Sequence, residues 1–572
     1  MSASGGTTRV AVVTGGAVGI GAAIAEELGR QGVLVVTVDP GVAVDGSPQD
    51  AGFERTAAQR IVDAGGRARA SSISVTDEAA LRSLFAELVE EFGALDAVVN
   101  VAGIVRPTGF ATGLEDDWQA VLSVHLDGYL NVLRAALPIM ASAGHGRILG
   151  VTSGSGWRAA DAGAYGCAKR AVAALTWRIG QVAPSGVTVN ALSPIAATRM
   201  VGQALSRLAG AGDATGGSAA SGGVALATGI PPPEHLGPVG AYLAGEAFSW
   251  CNGQVIFSNG SEVTWVAPPR VLEAARTAEV ASLPHVLDTL GPVVLAPAEA
   301  AQATSGGANP RLGAVFDEPA PAAGPATDAG RCVVVTDSPE WGAAIGGALT
   351  ARGVECIGVG AGPRAVPGTA EVARGFAGAA EQLAGVTRDA GEIDGVVVAR
   401  VEGGVRAVAA TPEEPAWQRV LDEHVGVTEQ IRADAAWVRA VSDYSEAAGR
   451  PVRLVTVVDA TSAGGWSRAQ ASAQLARAAH MATADRVDAF SISVETEKTS
   501  ALRRVAEVAA YLVCGADTRA LSGAELVAES EWLGLRSHPS PAGTISFGGP
   551  AVPGWLDGAL CAMVTGRKRT QR

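Results

Sequence analysis

The chain has 572 residues, 48% hydrophobic and 17% charged, with 74 glycines and a formal net charge of -14. That length is more than one hydrophobic core serves, so two or more domains are expected, and the composition is that of a packed globular protein. A negative balance with no long basic tract argues against nucleic-acid or anionic-membrane partners, and no uninterrupted apolar run reaches membrane-spanning length.

The polar start, Met1 to Arg9, lacks the apolar core of a signal peptide. Six cysteines lie scattered without metal-ligand spacing, which reads as reduced thiols in a cytoplasmic protein with no metal site.

Arg9 to Val13 is a short apolar β-type run that leads into Thr14-Gly15-Gly16-Ala17-Val18-Gly19-Ile20-Gly21, followed by a helical pattern through Leu28. Strand, glycine turn and helix in that order form a dinucleotide-binding context. Gly15 permits the tight turn, Gly19 lets backbone approach a pyrophosphate, and Gly21 allows close helix–strand packing. Thr14, Gly15, Val18, Gly19, Ile20 and Gly21 are therefore the candidate phosphate-binding set, at a helix N-terminus whose dipole favours anions. The second strand, Val33 to Val38, ends in Asp39, about twenty residues beyond the glycines. A carboxylate there accepts ribose hydroxyls and repels a 2′-phosphate, which favours NAD over NADP.

Helix is expected over Ala57–Ala64 and strand over Ala68–Ile73, and Asp77 caps a helix Glu78–Phe92. The strand Ala97–Val99 runs into Asn100-Val101-Ala102-Gly103, a small-residue turn against the cofactor. Trp118 to Leu137 reads as one long amphipathic helix containing His125.

The chemistry centres on Ser153, after a strand Arg147–Val151, and on Ala164-Tyr165-Gly166-Cys167-Ala168-Lys169. Tyr165 and Lys169 are four apart in a helical run and share a face. A free phenol has a pKa of about 10. A nearby ammonium stabilises the phenolate and brings that value toward working pH, as general acid/base catalysis requires. The Ser153 hydroxyl is placed to hold a substrate oxygen near the phenol. The strand Gly186 to Pro194 ends where a nicotinamide would sit, and the small-residue stretch Gly210–Gly229 reads as a lid over the substrate. Pro233–Glu246 is expected as helix and Gly253–Phe257 as a final strand.

Together these residues resemble the short-chain dehydrogenase/reductase family across about residues 8–268. The likeness is closer to the (3R)-hydroxyacyl-CoA dehydrogenase units of multifunctional β-oxidation enzymes, carried by Asp39-Pro40-Gly41, Asn100 to Arg106, Val124 to Gly128, Thr152 to Gly156 and Thr198-Arg199-Met200. The resemblance implies Ser153, Tyr165 and Lys169 as the catalytic set, with His125 at the helix position of the family's proton relay. It also implies Tyr165, Lys169, Pro194 and Thr198 among the cofactor contacts, beside Asn100, Ala102 and Gly103. Tyr165 would exchange the substrate hydroxyl proton during hydride transfer, and Lys169 would lower its pKa. Departures from the family pattern are Val101, Ile195, Ser74 and His125 itself.

Composition shifts between about Ala275 and Gly330, where Glu318 to Pro325 crowds Pro and Ala. Beyond it the order of elements returns. Arg331–Thr336 echoes the first strand, Ala343-Ala344-Ile345 the first helix, Trp417–His424 the segment Trp118–His125, and Ala510-Tyr511-Leu512 the triplet Ala241-Tyr242-Leu243. The functional positions differ: Asp337 to Gly342 replaces the glycine turn, Gly360 stands for Asp39, Asp459 for Ser153, and Ser472 and Ala476 for Tyr165 and Lys169.

The expected architecture is α/β, two tandem Rossmann-type doubly wound parallel-sheet domains. Residues 1–275 form a catalytic domain, 276–330 a linker, and 331–572 a degenerate, non-catalytic domain. The two halves are expected to form an intrachain pseudo-dimer, pairing again as a homodimer of chains. The expected activity is NAD(H)-dependent interconversion of a secondary alcohol and a ketone on a small hydroxy/keto substrate, with a 3-hydroxyacyl thioester preferred. The alternatives are a polyketide or steroid ketoreductase, and a non-enzymatic scaffold with vestigial motifs.

Overall fold

A computed structural model describes residues 9–49, 53, 55–109, 113–199, 230–276, 280, 283–302, 330–366, 369–401, 414–484, 486–496, 498–515 and 518–566. The stretch 210–229 and the Pro/Ala-rich segment at 318–325 lie outside the described residues.

In the first half β1 (Val10–Thr14), α1 (Gly19–Arg30), β2 (Leu34–Val38), α2 (Ala57–Asp63), β3 (Ala68–Ser71), α3 (Glu78–Phe92) and β4 (Ala97–Asn100) alternate. They are followed by α4 (Glu115–Leu122), α5 (Gly128–Ala143), β5 (Gly146–Val151), α6 (Gly163–Val182), β6 (Val187–Pro194), β7 (Val255–Ser258) and β8 (Glu262–Ala267). Among the described residues the sheet order is 8-7-6-5-4-1-2-3, parallel from β7 to β3, with β8 antiparallel at one side. Helices cover both faces, which is why β1 and β2 read as unbroken Val-rich runs, buried throughout, rather than alternating strands. Local chemistry sets the helix ends. Asp77 accepts the Ala80 N–H at 2.9 Å to open α3, and Gly93 closes it in the left-handed region at φ 78°.

The single helix expected over Trp118–Leu137 is instead interrupted. Ser123–Asp127 forms a π-helical turn between α4 and α5. Pro233–Glu246 likewise divides into a 3-10 turn, a short helix Gly237–Leu243 and a second 3-10 turn from Glu246.

The second half builds its own parallel sheet from β10 (Arg331–Thr336), β11 (Glu355–Gly360), β12 (Gly395–Ala399), β13 (Val452–Asp459), β14 (Val487–Val494) and β15 (Glu525–Ala528), with β16 (Trp532–Arg536) antiparallel. Its order, 11-10-12-13-14-15-16, follows that of β2, β1, β4, β5, β6, β7 and β8.

The boundaries drawn at 275/276 and 330/331 are crossed in both directions. The strand after β8, β9 (Val271–Arg276), leaves the first sheet and pairs antiparallel with β16 of the second. The strand after β16, β17 (Ser540–Ser546), returns to pair with β8 of the first. Pro541 sits on that outermost strand, where a missing N–H interrupts no interior ladder. Within the expected linker, Leu283–Leu290 and Ala296–Ala300 are helical, and Leu283, Leu287, Leu295 and Ala296 pack into the second half's core.

One hydrophobic cluster spans the halves. It contains Ala164, Ala168, Ala171, Val172 and Leu175 of α6 and Ala471, Leu475, Ala476 and Ala479 of the helix Ala463–Ala482. Small side chains on both faces let these helices approach closely, and Trp177 meets Trp466 edge-on at 6.3 Å. Fully buried Arg170 lies in the same seam, bonding Gln470 at 3.0 Å and Glu525 at 3.3 Å. Elsewhere Thr428 bonds Asp127, Arg432 pairs with Glu115, and Arg134 donates to the Leu421 carbonyl at 3.1 Å. No helix among the described residues is long and apolar enough to cross a membrane.

Candidate active site

The glycine turn is packed from behind and open in front. Thr14 Oγ1 donates to Asn100 Oδ1 at 2.6 Å and accepts the Ala102 N–H at 3.3 Å, locking the ends of β1 and β4 together. Gly15 has φ 61°, and a Cβ on it would meet the Ala102 nitrogen at 2.8 Å. A Cβ on Gly21 would fall 2.2 Å from the Gly15 oxygen. Gly19, at φ 64°, faces nothing within 4 Å. The first turn of α1, including Ile20, carries no acidic residue, and its N-cap Val18 makes no side-chain cap bond. Those N–H groups therefore face open space with a positive dipole end behind them, which fits a dinucleotide pyrophosphate.

Asp39 does more than the sequence indicated. Its Oδ2 accepts the Ala17 N–H at 3.2 Å and its Oδ1 the Gly41 N–H at 2.9 Å, so the carboxylate also fastens the glycine turn to the end of β2. Pro194 ends β6, where the Ile195 N–H bonds the Ser258 carbonyl at 3.0 Å. Thr198 follows, with its N–H on the Ala196 carbonyl at 2.8 Å. These lie at the same carboxyl-terminal edge of the sheet as the ends of β4 and β5.

Ser153, Tyr165, Lys169 and His125 come together at that edge. Ser153 follows β5 and caps the turn Gly154–Gly156, its Oγ accepting the Ser155 N–H at 3.3 Å. Tyr165 stands two residues into α6 and is hydrogen-bonded to Ser153. One turn further on, Lys169 Nζ donates to the Val151 carbonyl at 2.7 Å and lies 5.7 Å from the centre of the Tyr165 ring. His125 stacks edge-on against Tyr165 at 5.1 Å and 86°.

Burial dominates the electrostatics. It raises the Tyr165 phenol above its ordinary value, while the Ser153 hydrogen bond opposes that rise. The same desolvation lowers Lys169 to about 7. In this arrangement the hydrogen bond from Ser153 opposes the rise, and Lys169 Nζ is held by the Val151 carbonyl.

Burial, then the Lys169 charge, holds His125 well below its usual range, so the ring is neutral near pH 7. Its Nε2 lies 2.8 Å from the Ile104 carbonyl and 3.2 Å from the Ile104 nitrogen. The carbonyl calls for a proton on Nε2 and the N–H for a lone pair there, so the two contacts belong to different tautomers, and Nδ1 is buried without a hydrogen-bond partner among the described residues. Two features missed in sequence put it there. The π-helical turn swings His125 inward, and Gly103 makes room, since a Cβ at 103 would meet His125 Cε1 at 2.4 Å. No side-chain pattern in Ser123–Asp127 announces a π turn.

The corresponding turn in the second half is built differently. Thr336 Oγ1 donates to the Ala399 carbonyl at 2.8 Å, much as Thr14 ties to Asn100, but the helix after it opens with Pro339 and Glu340 and buries Trp341. Arg468 makes a bidentate bond to Asp434, 2.7 Å to each oxygen, and reaches the Arg400 carbonyl at 3.1 Å, just beyond β12.

Strand register puts Ala460, one past the expected Asp459, where the first half has Ser153, since Thr14 and Thr336 set Ala97 opposite Val396, and these pair with Arg147 and Leu454. It puts Ala361, not Gly360, in Asp39's place, because Thr14 pairs with Val38 and Thr336 with Gly360. The expected equivalents Ser472 and Ala476 are also displaced. α6 and the helix Ala463–Ala482 are both 20 residues long, so equal places along them set Gly465 and Ala469 opposite Tyr165 and Lys169. The strand-to-helix connection is shorter in the second half, 460–462 against 152–162, and sequence alignment alone slid the helix to compensate.

The family model for short chain dehydrogenases matches residues 9–207. Similar proteins include the short-chain reductase protein NovJ of Streptomyces niveus, 35% identical over 254 residues, which are 44% of this chain and 92% of that protein. The hydroxyacyl-CoA dehydrogenase ChsB1 of Mycobacterium tuberculosis is 34% identical over 275 residues, 46% of this chain and 81% of that protein. Among solved structures, the N-domain of a bacterial malonyl-CoA reductase, determined with NADP, aligns with a TM-score of 0.60 over 88% of this chain and 95% of that one. Its identity is 19%, so the likeness is one of fold, and it extends over both halves. A glycine turn open to a pyrophosphate, a Ser–Tyr–Lys cluster beside it, and these matches lead to one conclusion: the chain belongs to the short-chain dehydrogenase/reductase family of oxidoreductases.

Proposed function

We propose that the first half interconverts a secondary alcohol and a ketone with NAD(H), acting on a 3-hydroxyacyl thioester. In this reading the second half is a degenerate copy without dinucleotide or redox chemistry, retained as a covalent partner in an intrachain pseudo-dimer that pairs again between chains. The observation that carries it is the convergence of Ser153, Tyr165, Lys169 and His125 beside a glycine turn that is open at Gly19. The match to a hydroxyacyl-CoA dehydrogenase at 34% identity supports the thioester, and Asp39 at the end of β2 supports NAD.

The nicotinamide supplies the hydride donor or acceptor when bound. Thr14, Gly15, Val18, Gly19, Ile20 and Gly21 would hold its pyrophosphate, Asp39 the adenosine ribose, and Asn100, Ala102, Gly103, Pro194 and Thr198 the remainder. Ser153 Oγ holds the substrate oxygen. In reduction, Tyr165 Oη gives its proton to that oxygen as hydride reaches the carbonyl carbon; in oxidation it takes the hydroxyl proton back. Lys169 brings positive charge to the proton path and hydrogen-bonds ribose hydroxyls. His125, with its proton on Nε2, offers Nδ1 as the neighbouring acceptor.

A panel of (3R)-hydroxyacyl-CoAs, steroids and simple secondary alcohols, followed by NAD(P)H absorbance with each cofactor, tests the reading. Turnover is expected with the hydroxyacyl-CoAs and NAD. Asp39→Ser should shift the NADP/NAD preference toward NADP by about tenfold, one 1.4 kcal/mol step. Activity confined to NADP, with Asp39→Ser neutral, would overturn the cofactor assignment. The similarity to a short-chain reductase at 35% identity favours a second reading, reduction of a polyketide or steroid carbonyl, and the same panel separates the two.

A further inference from the structure

The second half reaches the catalytic segment through Gln474. This side chain, on the helix Ala463–Ala482, is 1% exposed, and its Nε2 donates to the carbonyl oxygens of Ser155 at 3.1 Å and Arg158 at 2.9 Å. Those carbonyls bracket the segment that follows Ser153. Because both neighbours are acceptors, the amide nitrogen must face them, and Oε1 is left buried without a hydrogen-bond partner. An apolar side chain of the same size would fill the space but would take the donor away from both carbonyls.

Room for the approach is built into the catalytic helix. Gly166 is the residue after Tyr165, and a Cβ there would stand 3.0 Å from the Ser155 oxygen and 3.5 Å from Gln474 Cγ. The segment gripped in this way is the one that orients Ser153. The Ser155 N–H bonds the Ser153 hydroxyl, the Gly156 N–H bonds the Ser153 carbonyl at 2.9 Å, and the Arg158 N–H bonds the Gly154 carbonyl at 3.0 Å.

We propose that Gln474 is a positioning residue for Ser153, supplied to the first half's active site by the second. By clamping the Ser155 and Arg158 carbonyls it holds the turn Gly154–Gly156 in the conformation that points the Ser153 hydroxyl at Tyr165. This role rests on the assignment of Ser153 and Tyr165 to the chemistry. It makes the second half a working part of the site rather than a cover for an apolar face.

The test uses the full chain with Gln474→Leu and Gln474→Glu, and with Arg134→Gln as a control that loses a different cross-half bond, to Leu421. The first readout needs no substrate. Hydrogen exchange at the amides of Gly156 and Arg158 should quicken about tenfold in Gln474→Leu while the β1 and β4 amides hold, and Arg134→Gln should leave the segment unchanged. In turnover, kcat should fall about tenfold or more, as small misplacements of catalytic groups do, with NADH affinity within about twofold of wild type. Gln474→Glu adds a signature that packing alone does not produce. A buried carboxyl titrates above its ordinary range and donates a hydrogen bond only when protonated, so activity should recover toward wild type as pH falls.

Unchanged exchange at 156–158 in Gln474→Leu would overturn the proposal, as would a Gln474→Glu pH profile parallel to wild type. If Gln474→Leu fails to fold, the Gln474→Glu profile decides. A wild-type chain inert across the substrate panel would instead refute the proposed reaction, leaving the exchange result to judge the clamp.

Discussion

At the carboxyl-terminal edge of its sheet, each half buries charge, with opposite outcomes. In the first, the Lys169 ammonium has a backbone carbonyl as its hydrogen-bond partner, and burial brings its pKa to about 7. In the second, Arg468 is gripped by both oxygens of Asp434. Burial pulls the guanidinium down, and that carboxylate more than restores it. A group whose charge is only partly compensated can change protonation near working pH; one locked in a bidentate pair cannot. The two sheet edges thus bury their cations with different compensation, a carbonyl in one and a carboxylate in the other.

The largest effect should come from the reactive pocket. Tyr165→Phe removes the exchanged proton but keeps the ring against His125, so turnover should drop by about 10²–10⁴ with folding and NADH fluorescence titration intact. Undiminished turnover would take Tyr165 out of the mechanism and erase the contrast between the halves. The second half's edge is tested next. Asp434→Leu strands Arg468, and Arg400 beside it, without their carboxylate. Breaking such a buried pair should cost about 3–5 kcal/mol in urea unfolding, while turnover per folded molecule stays the same.

The smallest effect is a pH dependence. A lysine whose folded pKa lies near 7, below its unfolded value, costs stability in full below pH 7, and that cost fades as pH rises from 7 toward the unfolded value. Lys169→Met should therefore raise the melting temperature by about 3–6 °C at pH 6 and by progressively less through pH 9. An equal gain at both pH values would mean that Lys169 is not the desolvated charge described above.

Much of the first half could be read from the chain because its chemistry is local. Glycines within one turn, a carboxylate at the next strand end, and a Tyr and Lys one helical turn apart are patterns of spacing, and the structure assembles them at one sheet edge. What escaped depends on neighbours distant in sequence. The π turn under His125 is filled by ordinary residues, and Gly103, in the turn after β4, reveals that the ring turns inward. Gln474 looks like one polar residue in an Ala-rich helix until its partners, more than 300 positions away, are known. That burial raises the Tyr165 phenol is likewise something spacing does not carry. The stretch after Ala275 looked like linker, yet Leu283, Leu287, Leu295 and Ala296 bury their side chains in the second half's core, far along the chain.

The exchanged strands bear on how this chain comes off the ribosome. Among the described residues β8 gains its outer neighbour from β17, made after the strands of the second sheet, so the first sheet waits with an open edge in the interval. Splitting the gene at the apparent boundary would deprive each product of a strand held by the other, and the separated pieces should be sticky rather than inert. The two polypeptides produced together, by contrast, should find each other and trade those edges back.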